Sequence, residues 1–121
     1  MMTAYDTVLK KAERQLLPAE IREKIPALYS QEDVKDKQAV AKFFLANWTW
    51  YVVEGSPVDA DGVMQEKADD NTEDFLFFGL VEGFEREFGY FSLSELVNVQ
   101  GPLGLKVERD EWFKPKSVDN L

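Results

Sequence analysis

The chain has neither cysteine nor histidine among its 121 residues. The first absence excludes disulfides, thiolate nucleophiles and sulfur-held zinc, and it removes any mark of an oxidising compartment. The second excludes Ser-His-Asp triads, Cys-His pairs, imidazole acid–base chemistry and the usual zinc sites. An enzyme on this chain would have to work with carboxylates, Lys, Tyr or a carboxylate-held metal. Long hydrophobic runs are missing too, since the longest, residues 75–81, is far too short to span a bilayer. The opening Met1-Met-Thr-Ala-Tyr-Asp lacks the basic-then-apolar pattern of a secretory signal. A soluble, cytoplasmic protein is the expectation. Positive charge is scarce, with 14 bases against 23 acids. Phosphate backbones and anionic membranes are held by Lys and Arg, so direct binding to nucleic acid or membrane is disfavoured.

Aromatics, by contrast, are plentiful: nine Phe, three Trp and four Tyr in a chain that is 45% hydrophobic. That suffices for one core, and residues 1–121 are expected to form a single domain. The charge is unevenly placed. Residues 54–87 hold 11 acids against Lys67 and Arg86, which accounts for the whole formal net charge of −9. A neutral frame thus carries a concentrated negative surface, and a basic protein is the partner such a surface suits.

Periodicity gives the architecture. Residues 3–16 read as a helix with Tyr5, Val8, Leu9, Ala12 and Leu16 on one face. Pro18 suits the start of a second helix, with Ile21, Ile25 and Leu28 in its stripe and Pro26 interrupting it. Residues 30–38 are polar and expected as a loop. Residues 39–46 and 48–54 then read as strands, with Trp48, Trp50 and Val52 on one face and Thr49, Tyr51 and Val53 on the other. Both faces are apolar enough for a strand covered on two sides. Residues 55–73 are expected as a long exposed acidic loop with a short helix near 63–67, 74–82 as a third strand, and 89–92 as a short fourth. Ser92-Leu-Ser-Glu95 fits a capping box, so a short helix should begin there and end near Val99. Gly101-Pro-Leu-Gly104 reads as a turn, residues 105–109 as a last strand, and the tail from Lys114 as frayed. The fold class is α+β: N-terminal helices, then an antiparallel meander of about four or five strands with a short helix after the fourth.

No catalytic motif stands out. Asp59-x-Asp61-Gly62 resembles part of an EF-hand loop, but aligning the glycine puts Pro57 and Ala68 at ligand positions, so a solvated acidic loop is the better reading. Gly101-x-x-Gly104 lacks the Lys and Ser/Thr of a phosphate loop. Asp33-x-Lys35 is a spacing found in any charged loop. Glu54, Glu82, Glu108 and Asp110 sit at strand ends and would make a paired-carboxylate, metal-assisted hydrolytic site if the fold gathered them. The plainer reading is that exposed charges cap the strands and Arg109 pairs with its acidic neighbours. Trp48, Tyr51, Phe88, Tyr90 and Trp112 are the aromatics expected to surface in part. Aromatics ringed by acids suit a basic protein partner, whereas stacking on single-stranded bases needs a basic groove that the sequence lacks.

The segments Leu16-Leu-Pro-Ala-Glu-Ile-Arg22, Ile25-Pro-Ala-Leu-Tyr29, Asn47-Trp-Thr-Trp-Tyr51, Asp74-Phe-Leu-Phe-Phe-Gly79, Gly89-Tyr-Phe-Ser-Leu-Ser-Glu-Leu96, Gly101-Pro-Leu-Gly-Leu105 and Val107-Glu-Arg-Asp110 follow one another in order. Together they resemble a family of short bacterial, plasmid and phage proteins known only as a domain of unknown function. The likeness covers roughly residues 16–115. Relatives look like accessory proteins of mobile elements, often encoded near antirestriction and DNA-transfer genes. The resemblance supplies no activity, cofactor or catalytic residue. Against it, residues 1–15 read as an extra helix and residues 55–73 as a lengthened acidic loop.

The expectation from sequence is therefore a non-enzymatic acidic interaction protein of a mobile element, of an anti-restriction or anti-CRISPR type. It would cover the basic nucleic-acid-binding surface of a host protein and need no cofactor or metal. Asp59, Asp61, Asp69, Asp70, Glu73, Asp74, Glu85 and Glu87 would supply the charge, with Trp48, Tyr51 or Phe88 as anchors. The alternatives are the carboxylate-dependent hydrolase and a structural module whose charge serves solubility.

Overall fold

Alternating apolar side chains carry most of the chain through a meander of antiparallel strands, in a computed structural model that describes residues 11–121. Two short helices, α1 (Lys11–Leu16) and α2 (Ala19–Arg22), precede the strands β1 (Gln38–Ala39), β2 (Ala41–Leu45), β3 (Trp48–Asp59), β4 (Thr72–Glu82) and β5 (Arg86–Ser92). Helix α3 (Leu93–Asn98), a single 3-10 turn (Pro102–Gly104), β6 (Glu108–Arg109), β7 (Lys116–Ser117) and a last 3-10 turn (Val118–Asn120) complete the order. Five strands form one sheet in the order β5-β4-β3-β2-β6, while β1 pairs with β7 in a separate clasp.

The sheet's first face is the core. Phe43, Trp50, Val52, Phe75, Phe77 and Phe91 lie there, and Leu16, Leu17, Ile25, Leu93, Leu96 and Val107 cover them. Phe77 sits centrally, its ring 5.7 Å from Phe43 and 5.2 Å from both Phe75 and Phe91. Full burial of such a side chain contributes roughly 1.5–3 kcal/mol relative to exposure. Ser92 ends β5 and caps α3 by accepting the Glu95 N–H at 3.2 Å, which lays Leu93 and Leu96 onto the core.

Strand β3 changes face part-way. A register shift between Val52 and Glu54 leaves Val53 without a ladder partner. Strict alternation would aim Glu54 into the core beside Val52. The extra residue instead turns it to the second face, opposite Phe78, and puts Gly55 against Phe77. Strand β2 begins opposite Val52, and beyond that point residues 26–31 take its place along β3. There Gly55 N–H donates to the Pro26 carbonyl and Leu28 N–H to Ser56 Oγ. At the other end of the chain, Phe113 lies 6.0 Å from the half-buried Tyr51 ring. Sheet face two is thus covered in part, as the apolar character of both faces of β3 implied.

Several expectations need correction. The acidic loop is shorter than 55–73, because residues 55–59 continue β3 and Thr72 and Glu73 open β4. Ser56, Val58 and Thr72 are buried there, so the strands extend where packing rewards them despite polar sequence. Residues 63–67 form no helix; Met64 bridges Val58. The β4–β5 turn takes only residues 83–85, so β5 starts at Arg86 rather than at residue 89. The last strand keeps only Glu108 and Arg109, and α2 stops before Ile25. The C-terminal segment is ordered by pairing: Gln38 faces Ser117 and Val118 N–H donates to the Lys37 carbonyl. Arg109 lies across from Phe43, and its buried Nε has no hydrogen-bond partner, while Asp110 pairs with Lys42 at 3.8 Å. Of the first helix, Tyr5, Val8 and Leu9 lie outside the described residues.

Candidate functional site

Five of the twelve carboxylates singled out by sequence turn out to hold the backbone. Glu54, 4% exposed, accepts the Tyr29 N–H at 3.0 Å on Oε1 and the Gln31 N–H at 2.7 Å on Oε2. Asp74 accepts the Ser94 N–H at 3.0 Å and the Ser94 hydroxyl, which ties β4 to the start of α3. Asp59 closes the turn after β3 by accepting the Asp61 and Val63 N–H groups, both at 2.9 Å. Asp69 does the same before β4, accepting from Asn71 N–H at 2.8 Å and Gln65 Nε2 at 3.1 Å. Asp110 accepts the Trp112 N–H at 2.9 Å, and Glu82 meets Arg86 at 3.3 Å. A carboxylate accepting main-chain donors near a strand end is a fastener.

Nor does the fold gather the four that would make a hydrolytic pair. Glu82 opposes Thr49 and Glu54 opposes Phe78, four residues apart on β4, or about 13 Å along a strand. Glu108 lies beyond β3 and β2 from Glu82, about 14 Å away at the usual strand spacing. Glu108 and Asp110 do share a shallow cleft with Lys42 and Arg109. Among the described residues no three Asp or Glu side chains gather around a position for an ion.

The negative surface is divided. Since β3 and β4 run antiparallel over their full lengths, residues 59–73 lie at one end of the sheet and the β4–β5 turn at the other, about 33 Å apart. Asp61, Asp69, Asp70 and Glu73 are exposed at the first end, Glu85 and Glu87 at the second. The aromatics belong to the second end and the β5 side. On the second face Phe78 packs against Phe88 (centroids 5.9 Å, nearly parallel) and Tyr90 (5.1 Å), and both of those rings are about half exposed. Tyr29, itself half exposed at φ 69°, completes the group. Its side-chain hydrogen bond raises the Tyr90 phenol above the usual value, with burial and the charges of Glu54 and Glu32 adding to the shift. Across the sheet, Trp48 stacks on Trp50 at 5.9 Å and meets the fully exposed Phe84 edge-on at 5.5 Å. Beside them lies a cleft of 340 Å³ lined by Leu45, Val99, Gly101 and Pro102.

A family model described as "Protein of unknown function (DUF2958)" matches residues 9–118. The chain belongs to that family. Comparisons with curated proteins and with solved structures give no match. The matched range is wider than the motifs at 16–115 and takes in α1, whose Leu16 belongs to the core.

In this DUF2958 member the expected anchors fare unequally. Trp48 and Phe88 are exposed, as is Trp112, whereas Tyr51 is half covered by Phe113. Sequence reasoning missed Tyr29 and Phe84 as exposed aromatics, and Phe78 as the half-buried ring beneath Phe88 and Tyr90. Phe88 and Tyr90 were expected at the surface, but beginning the fourth strand at residue 89 hid that Phe88 belongs to the same strand and stacks on Phe78.

Proposed function

We propose that the protein is a non-enzymatic interaction module that binds a basic protein through its acidic, aromatic-bearing surfaces. The observation that carries this reading is a division of labour among carboxylates. Glu54, Asp59, Asp69, Asp74 and Asp110 are occupied with backbone donors, while Asp61, Asp70, Glu73, Glu85 and Glu87 stand exposed. The exposed set has the chemistry of electrostatic recognition, and the half-exposed Phe88 and Tyr90 add apolar area of the kind found at interface centres. A protein whose own basic surface meets nucleic acid is the partner class with the matching charge. Action in the cytoplasm for a mobile element, as an inhibitor of an anti-restriction or anti-CRISPR type, belongs to the same proposal; the family resemblance lends it the mobile-element setting and supplies no activity.

The test is capture by the tagged protein from nuclease-treated lysate, beside a variant carrying Asp61→Lys, Asp70→Lys, Glu73→Lys, Glu85→Lys and Glu87→Lys. Basic nucleic-acid enzymes retained by the wild type, released at high salt and lost by the folded variant, are the expected result. Equal retention by both proteins would sink the reading.

A further inference from the structure

The sheet's two edges differ. Strand β6 is two residues long, and the chain beyond it returns to β2 through the Asp110 N–H and the Lys42 carbonyl. Strand β5 runs seven residues and pairs with β4 in unbroken register from Glu82↔Arg86 to Leu76↔Ser92. Residues 86–91 make no other backbone hydrogen bond among the described residues. An open edge invites pairing, and proteins usually blunt it with a lysine, a proline or a bulge. β5 has no lysine, proline or bulge, and its only charged residues are Arg86 and Glu87 at one end. Its one base, Arg86, is engaged by Glu82 at 3.3 Å and by the Leu121 carbonyl at 2.9 Å. Glu85 and Glu87 therefore set the charge of this edge, and Phe88 and Tyr90 project from one face of it.

Gly89 supplies an independent observation. Its ladder partner Gly79 is required internally, because a Cβ there would run into the Tyr51 carbonyl. A Cβ at Gly89 would meet nothing within 4 Å. A mid-strand glycine weakens a strand, and no internal packing accounts for this one, which leaves the face of β5 clear at Gly89 for a neighbour.

We propose that β5 is the docking edge for an extended basic segment of the partner, added to the sheet as a further strand. Main-chain hydrogen bonds to the edge supply affinity, alternate apolar side chains of the segment rest on Phe88 and Tyr90, and its Lys or Arg side chains meet Glu85 and Glu87. The proposal rests on the reading of a basic protein partner and adds how that partner is held. A second copy of the chain is the competing occupant, and a net charge of −9 on each copy opposes it.

The test uses the whole protein and a peptide of alternating lysine and valine, about eight residues long. Two further peptides carry N-methyl groups on alternate residues along one edge or the other, which keeps charge and side chains but removes one row of donors. The expected result is amide-exchange protection within residues 86–91 on binding the parent peptide. One of the two N-methylated peptides should bind about tenfold more weakly or worse. If all three bind equally with the same salt dependence, edge pairing is wrong while the basic-partner reading stands. If none binds at low salt, both fall. Self-association that protects residues 86–91 without peptide would replace the basic segment by a second copy.

Discussion

The Glu54 carboxylate reaches across the second face of the sheet to accept the Gln31 N–H at 2.7 Å. Its other oxygen holds the Tyr29 N–H, so one buried side chain fixes the segment that replaces β2 alongside β3. Replacing Glu54 by Ala leaves two donors without their charged acceptor and should cost about 2–3 kcal/mol in urea denaturation. Glu54→Gln keeps one acceptor oxygen and should cost less. A stability loss under about 0.5 kcal/mol for the alanine variant would show that the segment is held by other means.

Glycines 79 and 89 face each other across the β4–β5 ladder and should respond oppositely to one methyl group. Gly79→Ala forces the Tyr51 carbonyl aside and is expected to destabilise by about 3 kcal/mol. Gly89→Ala meets open space and should leave stability unchanged or raise it by up to about 1 kcal/mol. Thermal melts of the two variants check the contrast directly. Equal losses would mean that Gly89 has an internal role after all.

The half-covered Tyr51 makes stability depend on alkaline pH. Burial pushes its phenol above the ordinary value, Glu82 and Asp110 push the same way, and Arg86 opposes them. The folded state therefore favours the neutral phenol. That contribution is fully present below the unfolded value of about 10 and is lost as pH rises through the higher folded value. Urea titrations between about pH 9 and about pH 11.5 should show stability falling. Tyr51→Phe should fall less steeply over the same range, and parallel slopes would remove Tyr51 as the cause.

What could be read from the residues and what could not divide along a physical line. The alternation Trp48-x-Trp50-x-Val52 announced β3, and Ser92-x-x-Glu95 announced α3, because each signal is local and strong. The family likeness was legible from its ordered motifs and is the level at which the comparison agrees. The bulge at Val53 was hidden, since a one-residue register shift leaves no mark in composition, and with it went the role of Glu54. Proline at position 57 and acids at 59 and 61 made the end of β3 look like a loop, although Val58 packs there as a strand residue. The acidic stretch read as one surface because its residues are close in sequence. Two long antiparallel strands separate its halves in space.

The clasp of β1 with β7 joins Gln38 to Ser117, across the whole stretch of chain that forms the five-stranded sheet. Strands β2 to β5, by contrast, are neighbours in sequence as well as in the sheet. Each of their hairpins closes a short loop, so the meander can assemble stepwise at low entropic cost. The clasp has two residue pairs and must wait for both ends to arrive. Opening of the clasp and the C-terminal segment is expected to uncover the Tyr51 ring while the β3–β4 ladder stays paired. Amide exchange at Val118 reports that opening, while Val52 and Leu80 in the central ladder report the whole fold.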